Sequence, residues 1–315
     1  MTEGSSKPPC ISTHDKSLKT TEEVALQILM FCQFGVGTVA NVFLFLHNVS
    51  PVLTGSRQRP TQVILSHMAV ANTLVLFLTI FPNNMMTFAP RFSPTDLKCK
   101  LEFFTRLVAR STNLCSTCVL SIHQFVTVVP VNRLKVILRS SAPNVASYSC
   151  YSCWFFSVLN NIYIPIKVTG PQKTENISDF KSKLFCSNSG FSVGIVFLQF
   201  AHDATFISIM VWTSVSMVLL LHRHRQRMQC ILTPNQNPRG QAETRATHTI
   251  LMLVVTFVSF YFLNFICIIF QNFLIDFRLF MRHVGEVLIA GFPTVSPLLL
   301  IFRDPKDPCS VLLSC

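Results

Sequence analysis

The chain has 315 residues, of which 50% are hydrophobic and only 13% charged; 29 are Phe, and the mean hydropathy is +0.46. A soluble domain carries about 25% charged residues, so this balance predicts one polytopic membrane domain. The net charge of +12 rests on 26 Lys and Arg scattered through short loops, with no basic arm interleaved with aromatics, which argues against nucleic acid as a partner.

Residues 1–23 are polar, include Pro8 and Pro9, and lack the charged start, apolar centre and small-residue cleavage site of a signal peptide. They read as an extracellular N-terminal segment, ahead of a membrane domain over residues 24–302 and a cytoplasmic tail over 303–315. The first apolar run is Val24 to Leu46. A short loop with Arg57 and Arg59 follows, and Pro60 opens a second span to about Phe81. Pro costs little at a helix start, because its missing N–H had no partner there. The second helix can also continue past Pro82, since membrane neighbours re-satisfy a freed carbonyl.

The third span, Cys99 to Pro130, organises the rest. From Ser111 to Pro130 its one acidic or basic residue is His123. About thirty helical residues reach roughly 45 Å, enough to cross a hydrocarbon core of about 30 Å with turns to spare. Glu102, Arg106 and Arg110 stand at i, i+4 and i+8, on one stripe. A charge facing lipid is expensive, so the stripe is expected to face other helices or a wet cavity. This segment therefore reads as the central helix of a bundle with a cationic pocket at its outer end.

The fourth span is read as Val145 to Val168, with Trp154 and Pro165. A polar loop, Thr169 to Ser189, holds Cys186. The fifth span runs from Phe191 to Leu221 and carries Asp203. His222 to Arg245 is a basic loop, and Ala246 to Phe270 and Val284 to Phe302 are the sixth and seventh spans. The fold class is thus an all-α membrane protein, a seven-transmembrane helix bundle.

Lys and Arg divide almost evenly between the two sides, so orientation rests on other signals. Asn176-Ile177-Ser178 is a glycosylation acceptor in the longest loop of one side, whereas Asn48-Val49-Ser50 abuts a helix end and Pro51. Cys99 and Cys186 share that same side, and a disulfide between them requires an oxidising compartment. Both signals put the N-terminus outside. The basic residues concentrated before the sixth span then lie inside, close to the membrane.

The sequence holds twelve Cys. Cys115 and Cys118, and Cys150 and Cys153, have metal-like spacing, but they lie within apolar spans and read as small packing residues rather than metal ligands. No Gly-rich phosphate loop or nucleophile elbow is present, so neither an enzyme nor a cofactor is expected. His67 and His123 read as interhelical hydrogen-bonding residues. No internal repeat supports a two-half transporter. Arg110 needs a counter-charge, and the acids within other spans are Asp203 and Glu286. Such a pair serves equally as a structural tie or as part of a pocket. In the second reading Arg106, Arg110, Asp203 and Glu286 bind a ligand whose oxygen competes for Arg110, while Phe and Met side chains hold its apolar body.

Several blocks carry a family likeness. Arg59-Pro60-Thr61 and Ile64-Leu65-Ser66-His67-Met68-Ala69-Val70-Ala71-Asn72 resemble the second helix of vomeronasal type 1 receptors. Cys118-Val119-Leu120-Ser121, Cys153-Trp154 and Val211-Trp212 through Ser214-Val215-Ser216-Met217-Val218 are similar to its third, fourth and fifth helices. His222-Arg223-His224-Arg225-Gln226, Arg245-Ala246-Thr247-His248-Thr249-Ile250-Leu251 and Phe292-Pro293-Thr294-Val295-Ser296-Pro297 resemble its third inner loop, sixth helix and seventh helix. The resemblance covers roughly Ala25 to Phe302. It implies a multi-pass plasma-membrane receptor for a small pheromone or chemosignal, coupled to an inhibitory-type heterotrimeric G protein. Arg223, Arg225, Arg227 and Arg245 would form the cationic rim facing that G protein. Asn72 stands where rhodopsin-like receptors usually have an Asp, and Ser296-Pro297 stands in place of Asn-Pro-x-x-Tyr. His123, Glu286 and Gly291 depart from the vomeronasal pattern itself. The rival readings are a bitter-taste-like receptor and an anion channel or transporter conducting past the two arginines.

Overall fold

The structure, a computed structural model, describes residues 11–56, 58–88, 96–129, 142–169, 187–188, 193–229, 238–273 and 278–303. Among these, the long helices are α1 Ile11–Leu53, α2 Pro60–Phe88, α3 Asp96–Val128, α4 Ala142–Asn161, α5 Val193–Gln229, α6 Pro238–Phe273 and α7 Arg278–Arg303. Five of them, α1, α2, α5, α6 and α7, hold stretches long and apolar enough to cross a membrane. α3 and α4 are more polar and complete the seven-helix bundle. A short antiparallel pair, β1 Val168–Thr169 with β2 Ser187–Asn188, is an addition to the all-helical expectation.

The bounds correct the sequence reading in three places. α1 starts at Ile11 rather than Val24, so part of the polar N-terminal segment is helical. The fourth span does not run to Val168: α4 stops at Asn161, and a single helical turn, Ile164–Lys167, follows. The physical reason is Pro165, which has no N–H to donate to the Asn161 carbonyl. The expected loop from His222 to Arg245 is largely helical, since α5 continues to Gln229 and α6 begins at Pro238, a residue suited to a first helical position.

Local chemistry sets the other ends. α1 closes with Gly55 at φ 73°, the left-handed conformation that a side chain resists. The Gly55 N–H donates to the Val52 carbonyl at 3.1 Å and the Ser56 N–H to the Pro51 carbonyl at 2.8 Å, which satisfies carbonyls a helix end leaves open. At the start of α2, the Gln62 side chain accepts from the Arg59 N–H at 2.9 Å. In α7, Pro297 leaves the Pro293 carbonyl without its helical donor. Asn41 of α1 supplies one at 2.8 Å, and the same amide group donates to the Gly37 carbonyl at 2.8 Å. Asn72 of α2 then donates to Asn41 Oδ1 at 3.0 Å and to Ser296 Oγ at 3.1 Å, so α1, α2 and α7 share one buried polar knot.

α3 occupies the centre. Ser111, Thr112, Asn113, Ser116, Thr117 and Ser121 are all buried, which an outer helix in lipid has no reason to show. Some satisfy their hydroxyls on their own helix, as Thr117 does on the Asn113 carbonyl at 2.8 Å and Ser121 on the Thr117 carbonyl at 3.0 Å. The opposite pattern holds outside: Val39, Phe155, Trp212 and Phe262 are 60–72% exposed, forming an apolar belt for lipid. Two glycines permit close approach. A Cβ on Gly37 would lie 2.7 Å from Leu76 Cδ1 and 3.3 Å from the Thr294 Cα, and one on Gly291 would collide with the Phe260 ring.

The cysteine expectation is corrected in part. Cys115 of α3 and Cys153 of α4 form a disulfide, with Cα atoms 5.6 Å apart, while Cys118 and Cys150 are free and buried. The two paired Cys fall on facing surfaces of neighbouring helices, a placement that apolar composition alone conceals. Cys99 is also disulfide-bonded. Cys186 lies outside the described residues, and its neighbour Ser187 pairs with Thr169 in a strand that packs beside α3. Among the described residues, no group of His, Cys, Asp or Glu gathers as a metal site.

Candidate ligand site

The deep charge on α3 finds its partner on α5. Arg110 Nη2 lies 3.4 Å from Asp203 Oδ2, and the Asp203 side chain is 4% exposed against 29% for Arg110. A buried carboxylate is tolerable only when its lone pairs are taken. Tyr261 of α6 donates to Oδ2 at 2.8 Å, Gln199 donates to Oδ1 at 3.3 Å, and His202 Nδ1 donates to Oδ1 at 3.0 Å. Gln199 is itself oriented by Asn160 of α4 at 3.3 Å. The guanidinium carbon of Arg110 sits 5.4 Å from the Tyr261 ring centre, so Tyr261 meets the cation with its face and the anion with its hydroxyl. One hub thus ties α3, α4, α5 and α6.

Beside the hub is a cavity of about 50 Å³. Arg110, Asp203, Asn113, Tyr261 and Asn264 form its polar part, and Val75, Leu114, Phe257, Phe260, Leu288, Ile289, Phe292 and Pro293 its walls. Phe257 and Phe292 meet edge to face at 4.7 Å, closing the wall between α6 and α7. Asn113 Oδ1 is buried with no hydrogen-bond partner. Apolar walls around a few convergent polar groups are the usual make-up of a small-molecule site, but such sites hold about 300–1,000 Å³, so a guest enters this one only by parting its walls.

The structure divides the sequence-predicted residues. Arg110 and Asp203 line the cavity; Arg106 and Glu286 do not. Arg106 lies over the Phe103 ring at 4.7 Å, and Glu286 is buried on α7 with its carboxylate 3.4 Å from His283 Nδ1. Arg110 therefore pairs with Asp203 and not with Glu286. Among the described residues, Phe side chains line the walls and Met side chains do not. Val75 adds α2 to the helices around the cavity. Tyr261, Asn113, Asn264 and Gln199 escaped the sequence reading, which followed formal charges. The signal for Tyr261 was present: one of four Tyr in the chain, within a strongly apolar span. His67 accepts from Trp154 Nε1 at 3.3 Å, an interhelical bond between α2 and α4. Arg223 is exposed near the far end of α5, Arg225 and Arg227 follow on that helix, and Arg245 lies on α6. Asn176 lies outside the described residues. Asn48 is buried and donates to the Leu44 carbonyl at 2.7 Å.

Among the described residues, seven long helices form a bundle whose charged, aromatic cavity is lined by α2, α3, α5, α6 and α7, the architecture of a multi-pass membrane protein. The chain belongs to the vomeronasal type 1 receptor family: the profile of the vomeronasal organ pheromone receptor family matches residues 24–307. It is 34% identical to human (Homo sapiens) vomeronasal type-1 receptor 4 over 283 residues, 88% of this chain and 94% of that protein. It is 32% identical to human vomeronasal type-1 receptor 2 over 308 residues, 96% of this chain and 77% of that one. A fish relative, olfactory receptor class A-like protein 1 of Danio rerio, is 27% identical over 285 residues, 87% of each chain.

Proposed function

We propose that this protein is a plasma-membrane chemosensory receptor that binds a small chemosignal in the cavity beside Arg110 and activates a heterotrimeric G protein. The observation that carries the reading is the cavity: one partly exposed guanidinium in a wall of Phe257, Phe260 and Phe292, in a chain of the vomeronasal type 1 family. A ligand oxygen accepts from Arg110 beside Asp203, and the aromatic wall takes the apolar body.

In this reading the N-terminus is outside, the cavity opens toward the outer half of the bundle, and the tail over 303–315 is cytoplasmic. Asn176 carries the glycan, and Cys99 pairs with Cys186. Arg223, Arg225, Arg227 and Arg245 face the G protein. Basic residues at inner helix ends also set topology, so their test must separate signalling from insertion.

The experiment expresses the full chain with a G-protein reporter, a surface epitope and a patch electrode, and screens a panel of small odorous molecules. The expected result is ligand-evoked G-protein activation without ion current, lost when Arg223, Arg225 and Arg245 are replaced together at unchanged surface level. Ion current on ligand addition, or unchanged signalling in the triple variant, overturns the corresponding part. A glycosidase-sensitive mobility shift that survives Asn176→Gln overturns the topology.

A further inference from the structure

We propose that the Arg110–Asp203 pair acts as a charge filter that restricts the cavity to uncharged ligands bearing a hydrogen-bond acceptor. The inference rests on the ligand site proposed above and adds the chemical class of what enters it.

Two observations carry it. The first is charge balance. Arg110 and Asp203 are the charged side chains among the residues lining the cavity, and they face each other at 3.4 Å. The walls are therefore neutral as a whole. A carboxylate, sulfate or ammonium entering them brings a net charge into an apolar enclosure with no counter-charge left to meet it. The second is saturation. A carboxylate offers about four lone-pair sites. Asp203 already accepts from Arg110, Tyr261, Gln199 and His202. It is 3% exposed, so an ammonium ligand finds no free acceptor there. Arg110 is the complementary case: its contact to Asp203 uses Nη2, and the side chain remains 29% exposed. A guanidinium carries five N–H donors, so a ligand acceptor is met by another of them while the carboxylate keeps its bond. A ketone, ester or alcohol oxygen meets these conditions, and a charged group of either sign does not.

The filter has a property that a merely structural ion pair lacks: cutting one side changes the sign of what binds. Asp203→Asn leaves an unbalanced cation, and Arg110→Gln leaves an unbalanced anion.

The test uses the purified full-length receptor in lipid nanodiscs and follows the shift in its unfolding temperature. The probes are four molecules on one six-carbon ring: cyclohexanone, cyclohexanol, cyclohexanecarboxylate and cyclohexylammonium. The neutral pair is expected to stabilise the wild type, with both ions at least about a hundredfold weaker in apparent affinity. Asp203→Asn is expected to favour the carboxylate and Arg110→Gln the ammonium. Either variant suffices if the other does not fold, and Asp203→Ser and Arg110→Met are the substitutes. Ions binding the wild type as well as the ketone does, an unchanged preference in a folded variant, or no shift with any of the four overturns the filter. Phe257→Trp, which fills the cavity, separates this from the underlying reading. If neutral probes still bind that variant, the cavity is not the site; if they are lost but wild-type binding is blind to charge, the filter alone falls.

Discussion

Asn41 Nδ2 donates at 2.8 Å to the carbonyl of Pro293, the oxygen that Pro297 strips of its helical partner. The bond is therefore a repair: a side chain on α1 replaces a missing backbone donor in α7. Asn41→Leu is expected to destabilise the receptor by about 1–3 kcal/mol, the cost of a buried acceptor left open. Pro297→Leu, which restores the N–H, is expected to recover part of that loss in the double variant. Thermal unfolding of the two single variants and the double one gives the coupling; simple additivity would show that the carbonyl does not depend on Asn41.

Removing Arg110 strands a buried carboxylate. Arg110→Ala and Asp203→Ala alone are each expected to lower surface expression more than the double variant does, because breaking a buried pair costs about 3–5 kcal/mol whereas removing both partners costs far less. Flow cytometry of epitope-tagged receptor reads the difference. Equal losses in all three variants would mean that the ion pair is not what holds α3 to α5 there.

Tyr261 tests the same hub from α6. Tyr261→Phe keeps the ring beside Arg110 and deletes only the hydroxyl that donates to Asp203 at 2.8 Å. A hydrogen bond to a charged group is worth about 1.5–3 kcal/mol, so a fall in unfolding temperature is expected at unchanged cell-surface topology. A variant as stable as the wild type would remove Tyr261 from the hub.

Gly291 has no room for a side chain, since a Cβ there would collide with the Phe260 ring. Gly291→Ala is expected to cost about 1–3 kcal/mol through overpacking. Phe260→Leu is expected to relieve that cost when combined with it, which a double-mutant cycle on unfolding temperature would detect. Independent effects would place the strain elsewhere.

The disulfide between Cys115 and Cys153 spans 38 residues of chain. A loop of that length corresponds to about 3–4 kcal/mol in the chain-entropy account. Cys115→Ser, Cys153→Ser and the double variant are expected to lose stability equally, because each removes the same bond. Mass spectrometry of non-reduced peptides identifies the linked pair directly; finding either Cys alkylated in the folded receptor would refute the bond.

Much of the fold was legible because lipid allows few alternatives. Apolar runs of membrane length have to be helices, and their count and order follow from where polar stretches interrupt them. The boundaries were less legible. Helix ends outside the membrane follow from caps and prolines rather than from hydropathy, and so α5 continues through His222 and Arg223, which read as loop. Within the site, formal charge pointed to Arg110 and Asp203 because an intramembrane charge needs a partner. It gave no way to choose between Asp203 and Glu286, whose separation from Arg110 depends on how α5 and α7 are rotated. Asn113 and Asn264 were illegible for a related reason: neutral amides occur throughout such helices, and only packing shows which of them reach a cavity. The pairing of Cys115 with Cys153 likewise depended on which faces of α3 and α4 meet.

The disulfide also decides what in this molecule is free to rearrange. α3 and α4 are welded near mid-helix, and α1, α2 and α7 are laced together through Asn41, Asn72 and Ser296. Between α5 and α6, among the described residues, the polar and ring ties are of another kind: one phenol on one carboxylate, and the ring of Phe200 leaning on that of Phe265 with centres 5.4 Å apart. A weld and a lacing resist sliding, whereas a single hydrogen bond and a ring contact separate without breaking anything covalent. The seam between α5 and α6 is therefore a hem of the bundle, where the guest proposed beside Arg110 would have no covalent tie to break in spreading the walls.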